Sequence, residues 1–241
     1  RESIGFEKAG IFRERGVAVI GDLCPPSSVI GHGQALQANM HVRQRDFSVS
    51  MCEGNASWQW RDAQSCFGDL PIPHIPLDNV ATAIQVLRLL ERPIDTPMLG
   101  RLIEETKVEG RTELFSVNDC DVMLDVGHNP QAARYLAEVI SKRSYAKVHV
   151  VFSMLADKDI TSTITPLLSQ VASWNIASLD SARALGLEDM KSVFQSFKVK
   201  VNCFDNIEDA YKMALREAGA NDLVLVFGSF FTVSAIRKLL V

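Results

Sequence analysis

The residues most able to do chemistry stand together in Leu124-Asp125-Val126-Gly127-His128-Asn129-Pro130. An apolar run leads into Asp-x-Gly-His-Asn-Pro, and a helix follows. In a parallel sheet, ligands sit outside the carboxyl ends of the strands, beside helix N-termini that favour anions. There Asp125 can accept from ribose hydroxyls, while His128 and Asn129 can face a phosphate or carboxylate. The plainer alternative is a strand-to-helix turn in which Asp and Asn cap the helix. A second candidate is Ile4–Arg13, where Glu7 and Lys8 lie in an apolar, glycine-flanked setting. A lysine desolvated enough to lose its proton can act as a nucleophile, including toward carbon dioxide to give a carbamate; otherwise the two form a solvated pair. Arg111, after Gly110, falls where a domain linker is expected. Asn79 is read as a helix cap first and a ligand contact second. Ala156-Asp157-Lys158-Asp159 follows a strand on the same sheet edge as His128. Ser229, in Gly228-Ser229-Phe230, would either cap a helix or hold a carboxylate. Neither a G-x-x-x-x-G-K-[ST] phosphate loop, a G-x-G-x-x-G fingerprint nor a G-x-S-x-G elbow is present. No His/Cys/Asp grouping has zinc spacing. The residues by themselves imply a nucleotide or anion site on an α/β sheet.

The elements that must position these groups change texture near residues 107–111. Before that point, short strand-like runs alternate with turn residues: Val17–Ile20, Phe47–Met51 and Trp58–Trp60, with a hairpin turn at Glu53-Gly54-Asn55. Helices are expected over 79–90, with Asp78 or Asn79 as cap, and over 96–105. Beyond it, strands over 122–126, 147–153, 174–178, 198–204 and 222–227 alternate with helices over 130–142, 161–170, 188–197, 207–218 and 230–240. Five βα units predict an open, mostly parallel sheet covered on both faces.

Composition excludes other classes. The chain has 241 residues, is 22% charged and 47% hydrophobic, and carries a formal net charge of −4. It is long enough for one large domain or two modest ones. No basic run suggests a nucleic-acid surface, and no stretch approaches the roughly 18–20 apolar residues of a membrane span. Five scattered cysteines form no disulfide framework and fit a reducing cytoplasm. The chain opens on Arg1 and already reads as mid-domain, so it is expected to be a piece of a longer protein.

RESIGFEKAGIFR at the start, the Asn79 helix, Gly110-Arg111, LDVGHNP, MLADKD and LVFGSFFTV follow in order along the chain. This series resembles the folylpolyglutamate synthase/dihydrofolate synthase family of the Mur ligase superfamily. The resemblance implies an α/β fold: residues 1–107 would be the tail of a Mur-ligase-type ATPase domain. Residues 108–241 would be a Rossmann-like, mostly parallel C-terminal glutamate ligase domain. It implies ATP-dependent joining of L-glutamate to dihydropteroate or a folate through an acyl phosphate, with ATP and Mg2+ as cofactors, in a cytoplasmic monomer. Lys8 would carry a carbamate that helps hold magnesium, Asn79 would contact adenine, Arg111 ATP and Asp125 ribose. His128 would lie near the phosphates and the incoming glutamate, and Lys158, Ser229 and Asn129 would serve the glutamate pocket. The family usually shows alanine where Gly127 stands, a small-for-small change expected to be tolerated. Its phosphate loop, pteroate-binding segments and most magnesium ligands have no counterpart in these 241 residues, so the chain alone is expected to show no turnover. The alternatives are a Mur-type peptidoglycan ligase and a non-catalytic nucleotide- or glutamate-binding module.

Overall fold

The computed structural model describes residues 1–241, the Asn55 side chain excepted. The chain forms two compact units, Arg1–Thr106 and Lys107–Val241.

In the first unit the elements run α1 (Glu2–Ala9), β1 (Val17–Ile20), α2 (Ser27–Ala35), β2 (Asn39–Val42), β3 (Phe47–Met51), β4 (Ser57–Asp62), β5 (Cys66–Pro71), α3 (Leu77–Leu89) and α4 (Thr96–Glu105). β1 and β2 pair in parallel, and β3, β4 and β5 form an antiparallel meander. The strict alternation of β4 turns Trp58 and Trp60 inward together. Both indoles are fully buried, and each finds a carbonyl: Trp58 Nε1 donates to Pro71 O at 2.8 Å and Trp60 Nε1 to Ala81 O at 3.1 Å. Val80, Ala81 and Ile84 of α3 close this core with Leu99 and Ile103 of α4. Asp95 caps α4 by accepting from Met98 N at 2.8 Å.

In the second unit the order is β6 (Glu113–Val117), β7 (Cys120–Asp125), α5 (Pro130–Ser141), β8 (Val148–Phe152), α6 (Ile160–Ile164), β9 (Ser173–Ala177), α7 (Leu187–Ser196), β10 (Val201–Phe204), α8 (Ile207–Glu217), β11 (Leu223–Phe227) and α9 (Phe230–Leu240). The six strands lie in the order β10-β9-β8-β11-β7-β6, every neighbouring pair parallel except β6–β7. Alternate residues of the central strands feed two cores. Met123, Val150, Phe152, Trp174, Leu225 and Phe227 pack against α5, α6 and α7. Val122, Leu124, Val151, Val224 and Val226 pack against α8 and α9. Helices therefore cover both faces, as the continuous apolar runs require.

Several boundaries differ from expectation for identifiable reasons. The 161–170 helix is one short α-turn followed by a 3-10 turn at Thr165–Leu167, where Pro166 has no N–H to continue the ladder. The last strand starts at Leu223 rather than 222, because the Asp222 carboxylate turns back to accept from Gly219 N at 2.8 Å. Edge strand β6 joins β7 through Asn118-Asp119, both at positive φ (51° and 62°), a tight hairpin built without glycine.

Candidate functional site

β7, β11 and β8 are neighbours in the sheet and parallel, so the segments leaving their carboxyl ends meet on one edge. The helix after β7 runs on one face and the helix after β11 on the other. Such a divergence of successive connections opens a crevice between the strand ends.

Asp125 ends β7 and is 4% exposed. Its two oxygens are held separately: Oδ1 accepts from Gly127 N at 2.7 Å and Oδ2 from Thr112 N at 2.9 Å. Burial pushes its carboxyl above the usual carboxylate range, against those two amides and the charges of Arg111 and His128, which pull it down. The structure thus brings Arg111 and His128 within electrostatic reach of Asp125. Val126 N donates to Gly110 O at 2.8 Å, which fixes the Gly110-Arg111 turn against the start of the loop. His128 Nδ1 lies 2.9 Å from Val126 O. A carbonyl only accepts, so Nδ1 carries a proton and donates it to Val126 O, and Nε2 is left outside that bond. The imidazole faces Phe230 at 6.3 Å between ring centroids. Asn129 is an N-cap, its Oδ1 accepting from Ala132 N at 2.9 Å.

The segment after β11 is set by Gly228. At φ 115°, an added Cβ would lie 2.4 Å from Ser153 O and 2.8 Å from the Phe152 ring, so the ends of β11 and β8 touch here through backbone. Ser229 caps α9, its Oγ accepting from Thr232 N at 3.0 Å. Thr232 Oγ1 donates to Ser153 O at 3.1 Å, so the 2.6 Å contact between the two hydroxyls has Ser229 as donor. The Ser229 proton therefore points inward, and the hydroxyl offers an outside group only a lone pair. Holding a carboxylate through this hydroxyl, as expected from the sequence, requires that chain of hydrogen bonds to turn over. Lys158, in the segment after β8, donates to Asp157 Oδ2 at 2.7 Å and is 30% exposed at its side chain. A groove of about 600 Å³ runs beside this edge along α9, lined by Gly110, Val126, Phe230, Val233 and Arg237 among others.

Three expectations are corrected by the geometry. Asn79 is not a cap: α3 starts at Leu77, its N-cap position is Pro76 without a side-chain bond, and Asn79 sits exposed in the first turn. Pro76 fixes the extended backbone before the helix, so the cap signal of Asp78-Asn79 fell inside it. Lys8 is not desolvated, for its side chain is 74% exposed and its ammonium pairs with Glu7 at 3.0 Å. The apolar neighbours that suggested burial, Ile4, Phe6 and Ile11, are themselves exposed. At Gly127, an alanine Cβ would come within 2.7 Å of both Ala132 Cβ and Asp125 Oδ1, so this turn has closed around glycine and the two residues are not interchangeable here. For magnesium, the described residues contain no group of three or more His, Cys, Asp or Glu able to hold a metal ion. Magnesium at a nucleotide is commonly held by one or two protein groups together with phosphate oxygens and waters, so it does not require such a group.

Sequence reading passed over Tyr135, Arg183 and Thr232. Tyr135, half-buried on α5, bonds to the Thr112 side chain and feels the Asp125 charge. Only Thr232 left a readable trace, the Ser-x-x-Thr spacing after a strand, which is a capping pattern.

An open α/β sheet with an acid, an imidazole and two capped helix starts at the ends of adjacent parallel strands defines a ligand-binding α/β domain. The model of the Mur ligase glutamate ligase domain matches residues 110–230. The chain belongs to the Mur ligase family. It is 32% identical over 256 residues to the dihydrofolate synthase/folylpolyglutamate synthase of Haemophilus influenzae, covering 97% of this chain and 58% of that protein. Among solved structures it is similar to Escherichia coli FolC in complex with DHPP and ADP (TM-score 0.88, 33% identity, 99% of this chain and 56% of that one). It is equally similar to a bifunctional folylpolyglutamate synthase/dihydrofolate synthase with Mn, AMPPNP and L-glutamate bound (TM-score 0.89, 33% identity, 99% and 57%). The chain spans somewhat more than half the length of the relatives it matches.

Proposed function

We propose that this chain carries the nucleotide- and glutamate-binding parts of an ATP-dependent carboxylate–amine ligase that joins L-glutamate to dihydropteroate or a folate. The observation that supports this reading is the meeting of Asp125, His128 and Asn129 with Lys158 and Ser229 at the ends of three adjacent parallel strands. Asp125 has one lone-pair direction per oxygen taken by a backbone amide, and the remaining lone pairs would accept from two vicinal ribose hydroxyls. Arg111, beside it, would take phosphate oxygens of ATP. ATP supplies the phosphoryl group that turns a poor carboxylate electrophile into one with a leaving group. His128, its ring oriented by the Nδ1–Val126 O bond, would turn Nε2 toward the reacting groups, where it would help orient an attacking amine. Lys158 and the Asn129 and Ser229 loops would hold the amino acid. No step is assigned to magnesium or to a Lys8 carbamate.

Under this reading the substrates are small molecules. The protein would work as a cytoplasmic monomer, which its free cysteines suit. Among the described residues no helix is long and apolar enough to cross a membrane. Calorimetric titration with ADP and an assay with ATP, L-glutamate and dihydropteroate test it. ADP is expected to bind, Asp125→Asn to weaken it roughly tenfold by loss of a charge-assisted pair, and the 241-residue chain to release no product. Unchanged ADP affinity in Asp125→Asn overturns the assignment of the ribose site.

A further inference from the structure

The segment after β9 carries a cation that the reading above does not use. Residues 178–186 fold back over the segment that leaves β8. Ala156 N donates to Arg183 O at 2.9 Å, Leu185 N donates to Met154 O at 3.0 Å, and Leu155 and Ala184 form an isolated antiparallel bridge between them. This backbone tie fixes Arg183 beside Asp157-Lys158. Asp157 then joins the two cations: Oδ2 accepts from Lys158 Nζ at 2.7 Å and Oδ1 from Arg183 Nη2 at 3.1 Å.

As a stabilising device the cluster is weak. Arg183 is 66% exposed and Asp157 49%, and pairs of that exposure contribute about 0–1 kcal/mol. As a recognition device it is well provided. Arg183 engages one of its five N–H groups and Lys158 one of three, so most of the donors stay available. Asp159, two residues after Asp157, is engaged in capping α6 through Ser162 N at 3.0 Å. Two cations around one carboxylate are the charge inverse of an amino acid with two carboxylates and one amine.

Resting on the proposal that the amino acid binds at Lys158, we propose that Arg183 is a specificity-determining residue of that subsite: with Lys158 it receives the second carboxylate of an amino-dicarboxylate and so selects glutamate over its amide. The planar guanidinium suits the flat carboxylate by two parallel hydrogen bonds, and the neutral amide of glutamine supplies only one acceptor there.

The test titrates the 241-residue chain with L-glutamate and L-glutamine in calorimetry, using the parent, Arg183→Met, Arg183→Lys and Lys158→Met. Arg183→Met is expected to weaken L-glutamate about tenfold and to leave L-glutamine within a factor of about two, so that discrimination collapses; Arg183→Lys keeps part of it. Equal effects on both ligands, or none on either, overturn the role of Arg183. If in that case Lys158→Met still abolishes L-glutamate binding, the subsite at Lys158 stands without Arg183. If the parent binds no L-glutamate, the subsite and this inference fail together. Circular dichroism on each variant separates these results from unfolding, which an exposed arginine is not expected to cause.

Discussion

Replacing Gly228 by alanine puts a single methyl group where the ends of β11 and β8 meet. Two costs follow from the structure. At φ 115° an L-residue is strained by about 1–3 kcal/mol. The new Cβ also falls 2.4 Å from Ser153 O and 2.8–2.9 Å from the Phe152 ring. Neither neighbour can step aside cheaply, because Ser153 O is backbone bonded to Thr232 Oγ1 and Phe152 is fully buried against Trp174, Phe194 and Phe227. Such overpacking costs about 1–3 kcal/mol, for a total of about 2–6 kcal/mol. At a urea dependence of about 2 kcal/mol per molar, the midpoint of the second unit should fall by roughly 1–3 M. Urea unfolding followed by circular dichroism reads the shift, and deuterium uptake in peptides covering β8 and β11 assigns it to this unit. Gly54→Ala is the control, since Gly54 also has positive φ (77°) but a Cβ there meets nothing within 4 Å; it should lose only about 1 kcal/mol. A Gly228→Ala loss no larger than that of Gly54→Ala would refute the close approach.

In the first unit, the Arg43 side chain is 3% exposed, pairs with Asp78 at 2.8 Å and leaves Nε and Nη1 without partners. Asp78→Ala, which strands that charge, should therefore cost more than Arg43→Met, by about 2 kcal/mol or more in urea unfolding; equal costs would contradict a charge-dependent pair. Asp222 concerns pH. Burial pushes its carboxyl up, but Gly219 N, His149 and Lys147 N outweigh this and leave it below the ordinary range. Its contribution to stability is thus present above the unfolded-state value and is lost as pH falls through the lowered folded value. Asp222→Asn should melt lower than the parent at about pH 6–7, above the unfolded-state carboxyl value, and converge with it in acid, as thermal unfolding across pH would show; a gap that persists in acid would exclude this origin.

How far the sequence was readable depended on how locally each feature is determined. The βα alternation of the second unit was legible because runs such as Leu223–Phe227 are apolar throughout and each is followed by a helical period. Asp125, His128 and Asn129 could be placed because a strand end and a helix start fix them within five residues. The edge strand β6 was not legible: Glu113–Val117 is short and half polar, and its turn uses Asn118-Asp119 instead of a glycine. β5 contains Gly68 and ends at Pro71, which reads as loop until β4 is known to lie beside it. Lys8 and Arg183 failed in opposite senses for one reason. Exposure and long-range pairing are tertiary facts, so an apolar neighbourhood in sequence overstated the burial of Lys8. The isolated Arg183 gave no sign that Asp157, 26 positions away, would be its partner.

The strand order has a temporal corollary. β7 and β8 flank β11, so the middle of the sheet is completed by Leu223–Phe227, about a hundred residues after the strand it joins. During synthesis the inner flanks of β7 and β8 have no neighbour until that late stretch leaves the ribosome, and the Gly228 junction cannot form before then. The second unit should accordingly complete its sheet only once that stretch has emerged, with its ligand crevice the last part to appear.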